Sequence, residues 1–310
     1  MNFTKMHGCG NDYIYIDAAR EGFSREDKGE LVRRLSDRHF GIGGDGVIFI
    51  HPGPEGMPDV DFEMEMYNAD GSRSEMCGNG IRCVGAYVYA RGLTDKKELT
   101  VISAGAKKYL TLDAAGTDGK RVVRSVTVDM GAPILTLPEI PADLSDHTGE
   151  TRTINGLTMA AFPGMGRGAD DPACDIDYSA AFVSMGNPHA VVVLPDGIDL
   201  NAFPLELIGN RFENHPVFPR RTNTEFVRID NRQEVHMRVW ERGTGETLAC
   251  GTGCCAITVA CALQGLTEDE ITVHVLGGEV HCRYDRDRNT VLMTGPAAFV
   301  FDGSVDPDAV

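Results

Sequence analysis

The sequence predicts an α+β protein of two pseudo-symmetric domains, each a β-sheet wrapped around a buried central helix, with the active site in the interdomain cleft. Three observations lead there. Cys77-Gly78-Asn79-Gly80 and Cys250-Gly251-Thr252-Gly253 are like frames 173 residues apart, and Asn68 and Glu241, each nine residues ahead of its cysteine, keep that offset. The offset reaches upstream into alternating apolar positions, Phe62, Met64 and Met66 against Val235, Met237 and Val239. Behind each cysteine the composition turns helical and apolar on nearly all sides, as in a helix sunk in a core.

The elements follow in chain order. Gly10-Asn11-Asp12 leads into the β-rich run Tyr13 to Ile16, much as Gly186-Asn187-Pro188 leads into His189 to Val193 at an offset of 176. Glu26 to Arg38 carries Leu31, Val32 and Leu35 at helical spacing. Val47 to Ile50 corresponds loosely to Phe226 to Ile229, behind Thr222-Asn223-Thr224. Helices are expected over Ile81 to Ala90 and Cys254 to Leu263, the second stopped by Gln264-Gly265. Strands are expected at Leu99 to Ala104, Tyr109 to Leu112, Val122 to Met130, Ile271 to Val275 and Val291 to Met293. The Pro-marked stretch Ala132 to Pro141 reads as the crossing between halves, and Pro163 to Asp177 as an exposed acidic loop. Ala297 to Asp302 is β-like and returns to the first half, so the expected domains are 1–132 with 295–310, and 133–294.

Composition narrows the function. At 310 residues the chain is long for one core, which favours two domains. A net charge of −17 argues against a nucleic-acid partner, because nothing offsets the repulsion of a phosphate backbone. No run approaches the ~20 apolar residues of a membrane span, and the N-terminus has no signal-like apolar segment. A cytoplasmic protein with nine reduced cysteines is therefore expected. No metal is expected, since Cys77 to Cys83 and Cys250 to Cys254 lack the close pairs of structural zinc sites.

The paired frames carry the chemistry. A cysteine followed by Gly-x-Gly and a helix sets its sulfur beside free backbone N–H groups, which favour a thiolate and can also hold a carboxylate. One such thiol suits a nucleophile or a redox group. Two related by a repeat suit a carbon acid held between them, one thiolate removing a proton while one thiol returns another to the opposite face. Such a pair shares its titration. A protein cycling Cys77 and Cys250 to a disulfide, and an inactive amino-acid-binding module, are the alternatives from other classes. An electron donor would be consumed only by the first, and the second would not need both thiols.

These residues resemble the diaminopimelate epimerase family. The likeness is carried by Asn68-Ala69-Asp70-Gly71-Ser72, by Met76 to Cys83, by Glu241-Arg242-Gly243 and by Ala249 to Gly253. Lys5 to Gly8, Gly10-Asn11-Asp12, Asp37-Arg38-His39, Gly41-Ile42-Gly43 and Met185 to His189 extend it over nearly the whole chain. The resemblance implies interconversion of LL- and meso-2,6-diaminopimelate, in lysine biosynthesis, without pyridoxal phosphate, metal or any other cofactor. It makes Cys77 and Cys250 the catalytic pair and gives His189 and Glu241 a supporting acid/base role. It assigns Asn11, Asn68, Asn187, Asn223, Glu241 and Arg242 to substrate binding, with the backbone of Gly78, Asn79, Gly251 and Thr252 on the reacting carboxylate. The partner is then a small molecule, and a homodimer is the expected assembly although the sequence does not set it. A racemase of another amino acid on the same fold, such as proline racemase, is the nearest alternative. Three departures stand out: Gly46 where some members carry Gln, the Cys254-Cys255 pair, and the insertion-like stretch Gly164 to Asp177.

Overall fold

The computed structural model describes residues 1–74, 77–117, 120–166 and 176–309. They form two compact units, Met1–Asp129 with Thr294–Val310, and Met130–Met293.

The first unit runs β1 (Asn2–Gly8), β2 (Asn11–Asp17), α1 (Ala18–Glu21), α2 (Gly29–Ser36), β3 (Gly46–Pro52), β4 (Phe62–Asn68), β5 (Arg73–Ser74), α3 (Gly78–Ala90), β6 (Glu98–Ser103), β7 (Ala106–Thr117) and β8 (Lys120–Asp129). The second runs β9 (Thr151–Ile154), β10 (Leu157–Phe162), β11 (Tyr178–Ser184), β12 (Pro188–Val193), α4 (Leu205–Glu213), β13 (Asn223–Ile229), β14 (Glu234–Glu241), β15 (Gly245–Thr247), α5 (Gly251–Leu263), β16 (Glu270–Val275) and β17 (Gly278–Asp285). The chain then passes through β18 (Thr290–Gly295), and β19 (Ala298–Ser304) pairs antiparallel with β1, Asn2 opposite Ser304.

The strand orders repeat. In the first unit the ladder is β19-β1-β2-β3-β4-β6-β7-β8, antiparallel except where β2 meets β3 and β4 meets β6. In the second it is β9-β10-β11-β12-β13-β14-β16-β17, antiparallel except where β12 meets β13 and β14 meets β16. A crossover containing helix precedes the first parallel pair in each: α1 and α2 in one unit, α4 in the other. Parallel neighbours cannot be joined by a tight hairpin, and these helices supply the return path.

A central helix fills each sheet. Helix α3 packs on β8, β1, β2 and β7, and every residue from Gly78 to Tyr89 is buried. Helix α5 packs on β17, β11, β12, β13 and β16 and is buried along almost its whole length. Both begin three residues earlier than the apolar composition indicates, because glycines that weaken a helix interior are tolerated in its first turn. Helix α2 is shorter than the expected span from Glu26 to Arg38. Lys28 ends its approach, its ammonium bonded to the carbonyls of Ser24 and Glu26 and paired with Glu65 at 2.9 Å. Most of the expected acidic loop, residues 167–175 with Cys174, lies outside the described residues.

Glu65 anchors the outer face of β4. Burial alone would raise its carboxyl, but hydrogen bonds from His51 and Lys28, the charge of Lys28 and the Tyr67 hydroxyl hold it down to about 2. A group depressed on folding stabilises the fold above its unfolded value and loses that contribution as pH falls through the folded one. Stability of about 3 kcal/mol is thus expected to disappear between an ordinary carboxyl value near 4.5 and about 2. Urea midpoints measured down that range should fall steeply for the wild type and flatten for Glu65→Gln; equal slopes would remove Glu65 from the account.

Candidate active site

Each cysteine is the N-cap of its central helix. Cys77 is extended at φ −132°, ψ 113°, and Cys250 at φ −116°, ψ 108°. The cap position aims a side chain at the free amides of the first turn. The sheet comes close to each helix start at Gly80 and Gly253. A Cβ on Gly80 would stand 2.8 Å from Ile48 Cδ1, and one on Gly253 would stand 2.7 Å from Glu225 Oε1.

In the first unit, the Cys77 sulfur accepts from the Gly80 amide at 3.3 Å and its thiol donates to Asn11 Oδ1 at 3.1 Å. Asn11 is oriented from behind. Its Nδ2 donates to Asp45 Oδ2 at 2.8 Å, and since a carboxylate only accepts, the amide oxygen must face the thiol. Asp45 also accepts from the Asp12 amide, and Arg38 ties Asp12 and Asp45 together at 2.7 and 2.9 Å. Gly78 and Asn79 form the first turn of α3. Arg82, fully buried, donates to the Gly78 carbonyl at 3.4 Å and to Asn79 Oδ1 at 2.9 Å. Asn68, at the end of β4, donates to Ser72 Oγ at 3.0 Å within the turn that follows.

In the second unit, Cys250 Sγ lies 3.4 Å from the Thr252 hydroxyl, with Gly251 and Thr252 opening α5. His189 is wholly buried on β12, its Nδ1 2.7 Å from Glu225 Oε1 and its Nε2 3.0 Å from Asn187 Oδ1. One donor atom from each of His189, Glu225 and Cys250 falls within 4.8 Å of the other two. Nitrogen, oxygen and sulfur are zinc-type donors, but both ring nitrogens are already engaged, so an ion would have to displace one of those bonds. Glu241 accepts from the Thr247 hydroxyl at 2.5 Å. Asn223 Oδ1 accepts the Arg242 amide at 2.8 Å, and the Arg242 guanidinium donates to the Arg220 carbonyl at 3.2 Å.

The electrostatics of Cys250 correct one expectation. Helix amides were expected to favour a thiolate at both cysteines. Instead burial, then the carboxylates of Glu241 and Glu225, push the Cys250 thiol well above its ordinary value; the Thr252 hydroxyl and the Gly253 amide pull the other way and lose. Glu241 is itself raised, by burial first, against the Thr247 hydroxyl and the His189 ring. Sharing one desolvated corner among three acids favours protons on some of them.

The structure thus gathers Cys77 with Asn11, Gly78 and Asn79, and Cys250 with Thr252, His189, Asn187 and Glu241. It sets Asn68 in a turn, and Asn223 with Arg242 at the end of β13. Sequence reading gave no role to Glu225, to the Asp45–Arg38 brace behind Asn11 or to Arg82, although Arg38 and Arg82 lie within the motifs of the resemblance. Glu225 carried a signal, being the one acid of its strand and set directly before the apolar pair Phe226-Val227.

Comparison with known proteins gives the family. The family model for diaminopimelate epimerase matches residues 3–136 and 181–300. The diaminopimelate epimerase of Agathobacter rectalis is 47% identical over 99% of both chains. That of Methanococcus maripaludis is 44% identical over 99% of this chain and all of its own. Among solved structures, a phenazine biosynthesis protein of the PhzF family from Bacillus anthracis superposes with a TM-score of 0.64 at 16% identity, covering 98% of each chain. A hydroxyproline epimerase from Agrobacterium vitis with bound trans-4-hydroxy-L-proline gives 0.64 at 15%, covering 98% of this chain and 91% of its own. The last two share the fold; the close matches over the full length show that this chain belongs to the diaminopimelate epimerase family.

Proposed function

We propose that this chain interconverts LL- and meso-2,6-diaminopimelate in lysine biosynthesis, by a two-base proton transfer that uses Cys77 and Cys250 and no pyridoxal phosphate. The observation that carries the reading is the repetition of one device: a thiol at the N-cap of a buried helix, in two units built alike, in a chain of this family.

The α-proton of an amino acid is weakly acidic, so a base alone is too slow. Charge that develops toward the carboxylate must meet donors already in place, and the first-turn amides at Gly78, Asn79, Gly251 and Thr252 are such donors. One sulfur takes the α-proton as thiolate and the other gives its proton as thiol, which requires them to address the carbon from opposite faces. The negative charge passes from one sulfur to the other by way of the substrate, and the pair holds one proton before and after the exchange. Asn11, Asn68, Asn187, Asn223 and Arg242 are proposed to hold the non-reacting end, where two further charged groups distinguish diaminopimelate from a simpler amino acid, and Glu241 is proposed to contact the substrate beside Cys250. Asn11 faces the Cys77 thiol in this state, which adds proton placement to its proposed binding role.

Among the described residues no helix is long and apolar enough to cross a membrane. A cytoplasmic homodimer completes the proposal, and sedimentation of the purified protein tests the dimer.

The decisive experiment incubates reduced, dialysed protein with LL-diaminopimelate in D₂O without added cofactor. Meso product with deuterium at one α-carbon is expected. Inversion of proline but not of diaminopimelate would overturn the substrate, and turnover only with an electron donor would replace the epimerase by a redox protein.

A further inference from the structure

The two thiols occupy like frames with unlike neighbours. In the first unit, Tyr13 on β2 pairs with Gly46 on β3, and Gly46 with Asn68 on β4. In the second, His189 on β12 pairs with Asn223 on β13, and the β13–β14 register (Thr224 opposite Trp240) brings Asn223 level with Glu241. Gly46 therefore matches Asn223, and two residues on, Ile48 matches Glu225. The glycines agree independently: Ile48 is what Gly80 faces most closely, and Glu225 is what Gly253 faces. Where the second unit carries His189, Glu225 and Glu241, the first carries Tyr13, Ile48 and Asn68.

Glu225 is an expensive residue to place there. It is fully buried, its Oε1 accepts from His189 Nδ1 at 2.7 Å, and its Oε2 has no hydrogen-bond partner among the described residues. The same sheet position serves the first unit with an isoleucine, so the fold does not demand a carboxylate. A buried charge with one oxygen unsatisfied is retained where it does something besides hold the core.

We infer that Glu225 is a positioning residue that holds the His189 ring and keeps Cys250 the protonated thiol of the resting protein, so that the two sulfurs are inequivalent before substrate arrives. The Nδ1–H to carboxylate bond fixes which ring nitrogen faces Asn187, as a carboxylate behind a histidine does in other acid/base sites. The carboxylate also opposes a second negative charge at Cys250, in concert with Glu241 and against the Thr252 hydroxyl and Gly253 amide. In turnover, which rests on the epimerase reading, Cys250 then enters as the proton donor. Cys77 next takes the α-proton while Cys250 delivers its own to the carbon.

The test uses full-length protein labelled with [3-13C]cysteine, whose Cβ shift reads thiol against thiolate, with Cys77 and Cys250 identified by loss of signal in C77A and C250A. In Glu225→Gln the Cys250 titration midpoint is expected to fall by about one pH unit or more while that of Cys77 stays in place. In the same variant kcat should fall about tenfold or more with KM within about twofold. Glu225→Ile, which installs the residue type of the first unit, repeats the measurement without a polar group. A folded variant whose Cys250 midpoint does not move overturns the inference, as does an equal movement of both thiols with a lowered melting temperature. Wild-type protein that inverts no amino acid overturns the proposed function, and the Cys250 titration still decides the role of Glu225.

Discussion

Replacing Cys77 by alanine is expected to lower the rate of inversion by about 10³-fold or more, and Cys250→Ala should do the same. On the barrier scale that is a loss of about 4 kcal/mol in either variant. The double variant should be little worse than either single one, because a proton taken without one returned is not an inversion, and groups that act as a unit are not additive. Substrate binding should survive in each, since the proposed binding groups include the first-turn amides and side chains on other elements. Calorimetric titration with diaminopimelate next to a turnover assay reads both quantities. Full activity in either alanine variant would sink the two-thiol mechanism, and loss of binding equal to the loss of rate would turn that cysteine into a structural residue.

The repeat made the architecture legible. Cys-Gly-x-Gly, the residue nine before it and the alternation further upstream are short-range patterns, and short-range patterns place N-caps, buried helices and half-buried strands. What stayed hidden depends on residues far apart in the chain. Glu225 lies 25 residues before Cys250 and its meaning appears only once β13 is registered against β12 and β14. The direction of the Cys250 shift was missed for the same reason. The amides that favour a thiolate are local and visible; the burial and the two carboxylates that defeat them are tertiary. Helix α4 went unread because nine residues in a crossover give little periodicity to detect, and the two- and three-residue strands β5 and β15 give none. The asymmetry between the units was legible in part. Asn68 and Glu241 stand at one offset, but Ile48 and Glu225 are displaced from it, since the connection from β3 to β4 is longer than that from β13 to β14.

Arg82→Met should cost roughly 3–5 kcal/mol of stability, the largest effect expected from any side chain that does not touch a cysteine sulfur in the proposed pair. Arg82 has no solvent exposure. Its guanidinium ties the Gly78 carbonyl, Asn79 Oδ1 and the Pro296 carbonyl at 3.4, 2.9 and 3.3 Å, linking the first turn of α3 to the returning C-terminal segment. The backbone is shaped around it: a Cβ on Gly295 would stand 2.9 Å from Arg82 Cζ, and one on Gly8 would stand 3.1 Å from its Nη2. Methionine keeps most of the stem and removes the fork, so Asn79 Oδ1 and the Pro296 carbonyl lose this donor in a dry interior, each at about 1–3 kcal/mol, and the Gly78 carbonyl is left with its helix amide alone. Lysine should rescue little, because one ammonium cannot reach acceptors that diverge around a planar group. Urea unfolding followed by far-ultraviolet circular dichroism gives the stability, and the Cys77 Cβ titration reports whether the helix start has moved. An unchanged urea midpoint in Arg82→Met would mean that water replaces the guanidinium without penalty and that the start of α3 is held by its packing against the sheet instead.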